Sequence, residues 1–266
     1  MAERGAEQRI ALVLEYDGTG FSGWQRQDDA PSVQEALEGA VSRIANHPVA
    51  VVCAGRTDAG VHAAAQVVHF DTTASRPLHA WVLGTNAQLP ETVSVRSAHA
   101  VDADFHARYQ AQRRGYRYVF LCRRARPALL RHRVAWTHHE LDEGRMHRAA
   151  QALVGEHDFS AFRAAACQAP HAVREVYRLD VHRHGELLFI DIEANAFVHH
   201  MVRNIAGTLM AVGTGEQPEH WPAGLLAAGD RTRSGMTAPA AGLYLTRVVY
   251  PSHYGLPTRG QWPFLA

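Results

Sequence analysis

Between Cys53 and Ala63 the chain reads Cys-Ala-Gly-Arg-Thr-Asp-Ala-Gly-Val-His-Ala, and this stretch is the one best equipped for chemistry. A β-prone run enters a loop in which Gly55 and Gly60 permit tight turns and close approach of a ligand. Between them stand one carboxylate, Asp58, and one guanidinium, Arg56. In a cleft, loss of water raises a carboxyl's pKa while a neighbouring cation lowers it; the second effect must prevail where an ionised aspartate attacks as a nucleophile at neutral pH. Residue chemistry alone equally permits a structural clasp between the two side chains.

A second stretch has a different chemistry. From Phe105 to His139 there is no acidic residue, while Arg108, Arg113, Arg114, Arg117, Arg123, Arg124, Arg126, Arg131 and Arg133 all lie inside it. Guanidinium groups neutralise phosphates and release counterions, and the interleaved Tyr109, Tyr116 and Tyr118 offer faces on which an unpaired base can stack. RNA is the partner this pattern favours over a merely solvated basic face. The 27 basic residues nearly balance the 26 acids, so a polyanion must be attracted by such a local patch and not by bulk charge.

Composition removes several alternatives. All 27 basic residues are arginine, so the chain has no lysine for a Schiff base, for pyridoxal phosphate or for a Walker A loop. Cys53, Cys122 and Cys167 form no C-x-x-C pair, and none of the 18 histidines falls in a strong metal-ligand spacing. Neither a zinc ribbon nor a disulfide framework is written here. Gly18, Gly20 and Gly23 satisfy G-x-G-x-x-G after a strand, but Phe21, Trp24, Asp28, Asp29 and Pro31 intervene before any helix begins, so no helix N-terminus meets a pyrophosphate. Reduced cysteines, the charged first residues and the lack of a long apolar run lead us to expect a cytoplasmic protein without a membrane segment.

The elements that position these residues can be read from periodicity. Ile10–Tyr16 reads as a buried strand, and a capping box at Ser32 and Glu35 opens a helix carrying Val33, Leu37, Ala40, Val41 and Ile44, closed by Pro48. Strands at 49–53 and 66–70, a helix over 77–86 and a strand over 92–100 complete a βαββαβ order. The second half repeats that order: a strand at 115–122, a helix at 141–154 stopped by Gly155, strands at 173–182 and 186–194 around His184-Gly185, a helix at 199–212 and a strand at 242–250. The expected fold is α+β, with two ferredoxin-like βαββαβ halves whose antiparallel sheets are joined around a central cleft. The expected division falls between residues 1–104, carrying the Asp58 loop, and 105–266, carrying the basic segment and the cleft-completing strands. Tyr254, Trp262 and Phe264 form an aromatic tail that fits either a subunit interface or the chain's own core.

Taken in order along the chain, the motifs resemble those of the tRNA pseudouridine synthase A family. They are Tyr16-Asp17-Gly18-Thr19 with Phe21, Gly23-Trp24-Gln25-Arg26-Gln27, the segment from Gly55 to Ala63, and Phe105-His106-Ala107-Arg108 with Tyr116-Arg117-Tyr118. Further on come Gly155-Glu156-His157-Asp158-Phe159-Ser160-Ala161-Phe162, His200-Met201-Val202-Arg203-Asn204, and Thr237-Ala238-Pro239 with Gly242-Leu243-Tyr244-Leu245. The resemblance implies isomerisation of uridine to pseudouridine in the anticodon stem-loop of tRNA, at positions 38, 39 and 40, by a homodimer without a cofactor. It implies Asp58 as the nucleophile, Tyr116 as the residue against the everted uracil, and Arg56 and Arg203 as supporting groups. The chemistry also needs a dry apolar wall to keep the detached uracil, and Leu243 on the last strand is the residue expected there.

Two other functions compete with this one. A non-catalytic RNA-binding module would show the same aromatics and arginines, and only Asp58 separates it from an enzyme. A carboxylate-dependent hydrolase usually carries a second acid or a metal, and no paired acid accompanies Asp58 in its motif.

Overall fold

The computed structural model describes residues 8–165, 167 and 170–258. The described chain forms two compact units, one of residues 8–112 together with 245–258, the other of the described residues within Arg113–Tyr244. Both mix helices with largely antiparallel strands, so the α+β class holds. Trp262 and Phe264 of the aromatic tail lie outside the described residues.

In the first unit the elements are β1 (Gln8–Tyr16), α1 (Val33–Ala45), β2 (Val52–Cys53), β3 (His62–Thr72), α2 (Leu78–Asn86) and β4 (Val93–Val101). Strand β1 lies between β4 and β3, antiparallel to both, with Val13 opposite Val67 and Ala11 opposite His99; β2 pairs with β3 through Val52 and His69. The helix start was legible: the Ser32 hydroxyl accepts the Glu35 amide at 3.2 Å and satisfies one of the amides a helix leaves unpaired at its first turn. Its end was not placed correctly. Asn46 stops α1 in the left-handed conformation (φ 58°), two residues before Pro48, since a short amide side chain tolerates that region. The apolar stripe of α1 is buried, and Leu37 within it is fully enclosed, so Leu37→Ala would cost about 2–5 kcal/mol.

The faces of β3 meet different neighbours. Phe70 packs edge-on against Trp81 of α2 at 5.2 Å, whereas the adjacent His69 meets Phe105 at 5.8 Å on the opposite face. Phe105 in turn touches Tyr250 and Tyr254, at 5.1 and 4.9 Å. Tyr254 is thus part of the core of its own chain. Covering both faces leaves β3 buried at every residue but Asp71, with no alternation between a covered and a solvated side.

The second unit contains β5 (Arg113–Cys122), β6 (Ala135–Thr137), α3 (Glu143–Ala150), β7 (Gly155–Asp158), β8 (Val173–His184), β9 (Leu187–Ala194), α4 (Met201–Gly213) and α5 (Trp221–Ala228), and leads into β10 (Leu243–Val249). Strand order is β5-β9-β8-β7, all antiparallel, with β6 added parallel to β5. The β8–β9 hairpin closes with His184 opposite Leu187 and Gly185 at φ +58°, as a tight two-residue connection requires. Three elements are additions to the expected order. β6 is three residues long and β7 is Gly-Glu-His-Asp, too short and too polar to show strand periodicity; α5 is apolar on all sides and opens on a proline, so it offers no stripe. The expected helix at 141–154 is shorter because Gln151–Leu153 tightens into a 3-10 turn. The expected strand at 49–53 shrinks to Val52–Cys53. None of the described helices is long and apolar enough to cross a membrane.

Candidate active site

The Asp58 loop is tied down on both sides of its carboxylate. Before it, Gln66 on β3 donates its side-chain amide to the Gly55 carbonyl at 2.7 Å, and the Tyr16 hydroxyl pairs with Thr57 Oγ1 at 2.8 Å. The Thr57 carbonyl then accepts the Trp24 amide at 3.0 Å. After it, the Val61 amide donates to the Asp58 carbonyl at 3.1 Å, with Gly60 at φ +75°, and the Gly60 amide reaches the Phe21 carbonyl at 3.3 Å. The side chain so presented is half-buried, and Arg56, two residues earlier, is exposed. Asp58 and Arg56 therefore share one braced loop.

Two glycines of the rejected dinucleotide pattern owe their presence to this loop. A β-carbon on Gly23, whose φ is +98°, would lie 2.7 Å from the Thr57 carbonyl oxygen and 3.1 Å from the Asp58 carbonyl carbon; one on Gly18 would meet the Val61 oxygen at 2.0 Å. Backbone approaches backbone at both places, and only glycine leaves room. Beside them His62 is buried, its Nδ1 3.1 Å from both the Gly18 amide and Asp17 Oδ1. One ring nitrogen serves only one of these as donor or acceptor at a time, so the tautomer decides which is bonded.

The other candidates lie in the second unit. Tyr116 on β5 is buried, its ring edge-on to Phe197 at 5.0 Å. Two residues along the same strand face, Tyr118 donates its hydroxyl to the Pro239 carbonyl at 2.7 Å, and Arg203 on α4 donates Nε to the adjacent Ala238 carbonyl at 2.8 Å. Burial pushes the Tyr118 hydroxyl far above its ordinary pKa, the nearby Arg203 cation opposing this. The structure thus places Tyr116 and Arg203 on one side of β5. Leu243 opens β10 and is buried.

A family model described as tRNA pseudouridine synthase matches residues 12–110 and 149–251. The chain belongs to this family. Similar proteins include the tRNA pseudouridine synthase A of Vibrio cholerae, 58% identical over 94% of each chain, and that of Klebsiella pneumoniae, 56% identical over 97% of this chain and 96% of the relative. That of Tolumonas auensis is 55% identical over 94% and 95%. The spans that match the pseudouridine synthase model hold Arg56, Asp58, Arg203 and Leu243; Tyr116 and most of the acid-free run fall between them.

Within that run the arginines have separate duties. Arg117 forks onto Asp191 at 2.6 and 2.7 Å, Arg113 meets Glu193 at 3.2 Å, and Arg123 meets Glu186 at 3.2 Å, all across the β5–β9 pairing or its end. Arg114 is buried and donates to the Asn195 carbonyl. The acids missing from the local sequence are supplied by the neighbouring strand. Arg124 and Arg126 stand exposed with no ion pair among the described residues.

Sequence reasoning missed a set of supporting residues. Asn204, fully buried, donates to the Phe162 carbonyl at 2.7 Å and accepts from Thr237 Oγ1 at 2.7 Å and from Arg231 at 3.0 Å. This ties the segment at 231–238 to the helix bearing Arg203. A backbone contact reinforces it: a β-carbon on Gly207 would come within 1.8 Å of the Met236 oxygen. The available signal was polar residues inside apolar runs, Asn204 in α4 and Gln66 in β3, because buried polar groups require partners.

Proposed function

We propose that the protein uses Asp58 as the nucleophile in converting uridine to pseudouridine at positions 38, 39 and 40 of the tRNA anticodon stem-loop. Membership of the family makes it an isomerase acting on tRNA uridine; the roles of individual residues are our reading. The observation that carries it is the Asp58 loop, whose main chain is held by Trp24, Gln66 and Phe21 and whose Thr57 hydroxyl is held by Tyr16, while the carboxylate stays half-buried. A nucleophile held this way enters the reaction with little left to reorganise.

The target uridine leaves its stack and its uracil lies against Tyr116. Asp58 attacks C6 of uracil or C1′ of ribose; the N-glycosidic bond breaks, the base turns, and a bond forms from C5 to C1′. Loss of the C5 proton, gain of a proton at the freed N1 and release of the aspartate complete an isomerisation with no change in mass. Arg56 and Arg203 support the carboxylate and the RNA, and Leu243 keeps water from the detached base. The same reading makes the protein a cytoplasmic homodimer that uses neither metal nor organic cofactor. It also describes each half as ferredoxin-like, with residues 1–104 carrying the nucleophile and 105–266 the basic segment.

The test is incubation with an unmodified tRNA transcript followed by chemical mapping of pseudouridine. Conversion at 38–40 without a mass change supports the proposal. Bound but unchanged RNA would indicate a binding module, and free uracil or cut strands a hydrolase.

A further inference from the structure

Of the three tyrosines interleaved with the acid-free arginines, Tyr118 is fully enclosed, Tyr116 is 8% exposed and Tyr109 is 76% exposed. Only the last is largely open to solvent. Burial of an aromatic ring is favourable, so a tyrosine left this far in water on an ordered segment needs another explanation or none at all. The surroundings of Tyr109 supply one.

Tyr109 lies stacked on His106, centroids 4.2 Å apart and planes 27° from parallel, and the Arg108 guanidinium reaches loosely over its ring, the guanidinium carbon 5.8 Å from the ring centre. His106 is itself immobilised. Its Nδ1 accepts the amides of Arg108 and Tyr109, each at 3.2 Å, and its carbonyl accepts the Gln110 amide at 2.9 Å. The segment beneath is pinned by Arg9, which donates to the Ala103 and Phe105 carbonyls at 2.5 and 2.7 Å. His69 receives the Ala107 amide at 3.1 Å, and Tyr250 donates its hydroxyl to the Ala107 carbonyl at 2.6 Å. Burial, followed by the Arg9 cation, holds the His106 pKa below its ordinary value and so favours the neutral ring, and the two amides that donate to Nδ1 select the tautomer with its proton on Nε2.

We infer that Tyr109, backed by His106 and flanked by Arg108, is a stacking platform for an unpaired base of the RNA substrate. The inference rests on the proposed tRNA activity. A flat ring held in place before binding loses little freedom when a base settles on it, and every base has a face to offer. The adjacent arginine suits the phosphate that follows such a base. A solvated surface tyrosine would need neither the stacked histidine nor a segment pinned at four carbonyl or amide groups.

The experiment measures Kd for an unmodified tRNA transcript with the wild-type chain and with Tyr109→Ala, Tyr109→Phe and Tyr109→Leu, each checked for an unchanged melting temperature. Stacking predicts that the Ala and Leu variants bind about tenfold more weakly, while Phe binds as wild type does. Wild-type affinity in Tyr109→Ala or in Tyr109→Leu overturns the platform, and so does a loss in Tyr109→Phe equal to that in Tyr109→Ala, which would make the hydroxyl responsible. Pseudouridine mapping on the same wild-type sample keeps the two readings apart. A wild-type chain that binds through an aromatic residue 109 but converts no uridine refutes the activity and leaves the platform standing; conversion with no dependence of Kd on residue 109 does the reverse.

Discussion

The Trp24 amide donates to the Thr57 carbonyl across 3.0 Å, fastening the segment after β1 to the residue that precedes Asp58. The close approach is possible because Gly23 has no side chain: a β-carbon there would lie 2.7 Å from the Thr57 oxygen, too near for either to stay in place. The candidate nucleophile is therefore positioned through the main chain on either side of it.

Gly23→Ala should accordingly damage catalysis without touching a catalytic atom. The methyl group meets backbone at 2.7 Å and the residue must hold φ +98°, a conformation costing about 1–3 kcal/mol outside glycine. We expect a lower melting temperature and a fall in kcat, read by thermal denaturation and single-turnover kinetics. Unchanged kcat would detach the close approach at Gly23 from catalysis.

Asp58→Asn keeps the shape of the side chain and removes its nucleophilic charge. Single-turnover pseudouridine formation should fall by about a thousandfold or more, with tRNA affinity retained. Substantial turnover in this variant would rule out the proposed nucleophile.

Asn204→Ala strips partners from the Phe162 carbonyl, Thr237 and Arg231 in a buried setting. Urea unfolding should register a loss of about 1–3 kcal/mol. Activity should fall as well, because the segment whose Ala238 carbonyl receives Arg203 loses its tie to α4.

The split among the arginines predicts different salt behaviour. Arg117 is engaged by Asp191, so Arg117→Ala should leave the slope of log Kobs for tRNA against log salt unchanged. The double change Arg124→Ala with Arg126→Ala should reduce its magnitude by about two, one for each phosphate that is no longer neutralised. A reversed ranking would mean that the strand pairing does not decide which cations reach RNA.

His69 makes stability depend on pH. Its pKa is lowered from 6.5 to about 4, first by burial and then by the Arg9 cation, and its Nδ1 accepts the Ala107 amide. Between those two values the unfolded chain binds a proton that the native chain refuses. This contribution is complete above pH 6.5, declines as the pH falls towards 4 and is constant below. In His69→Gln the urea midpoint should fall less steeply across that window; an identical slope would assign the effect to other groups.

Local chemistry carried much of this protein's organisation. The Ser32 box started α1 where expected, the glycines around Asp58 made a turn, and the ordered motifs gave the family, because caps, turns and short motifs act over a few neighbouring residues. The sequence also displayed the acid-free arginine run and three tyrosines, but it could not sort them. Sorting depended on Asp191, Glu193 and Glu186 arriving opposite β5, and on which ring the fold enclosed. The short β6 and β7, the stripe-free α5, and the reason for glycine at 18 and 23 were equally hidden, since pairing, burial and close backbone approach are set by residues far apart in the chain. What the sequence determined was which groups are available; tertiary packing decided which of them are already satisfied and which remain open to a substrate.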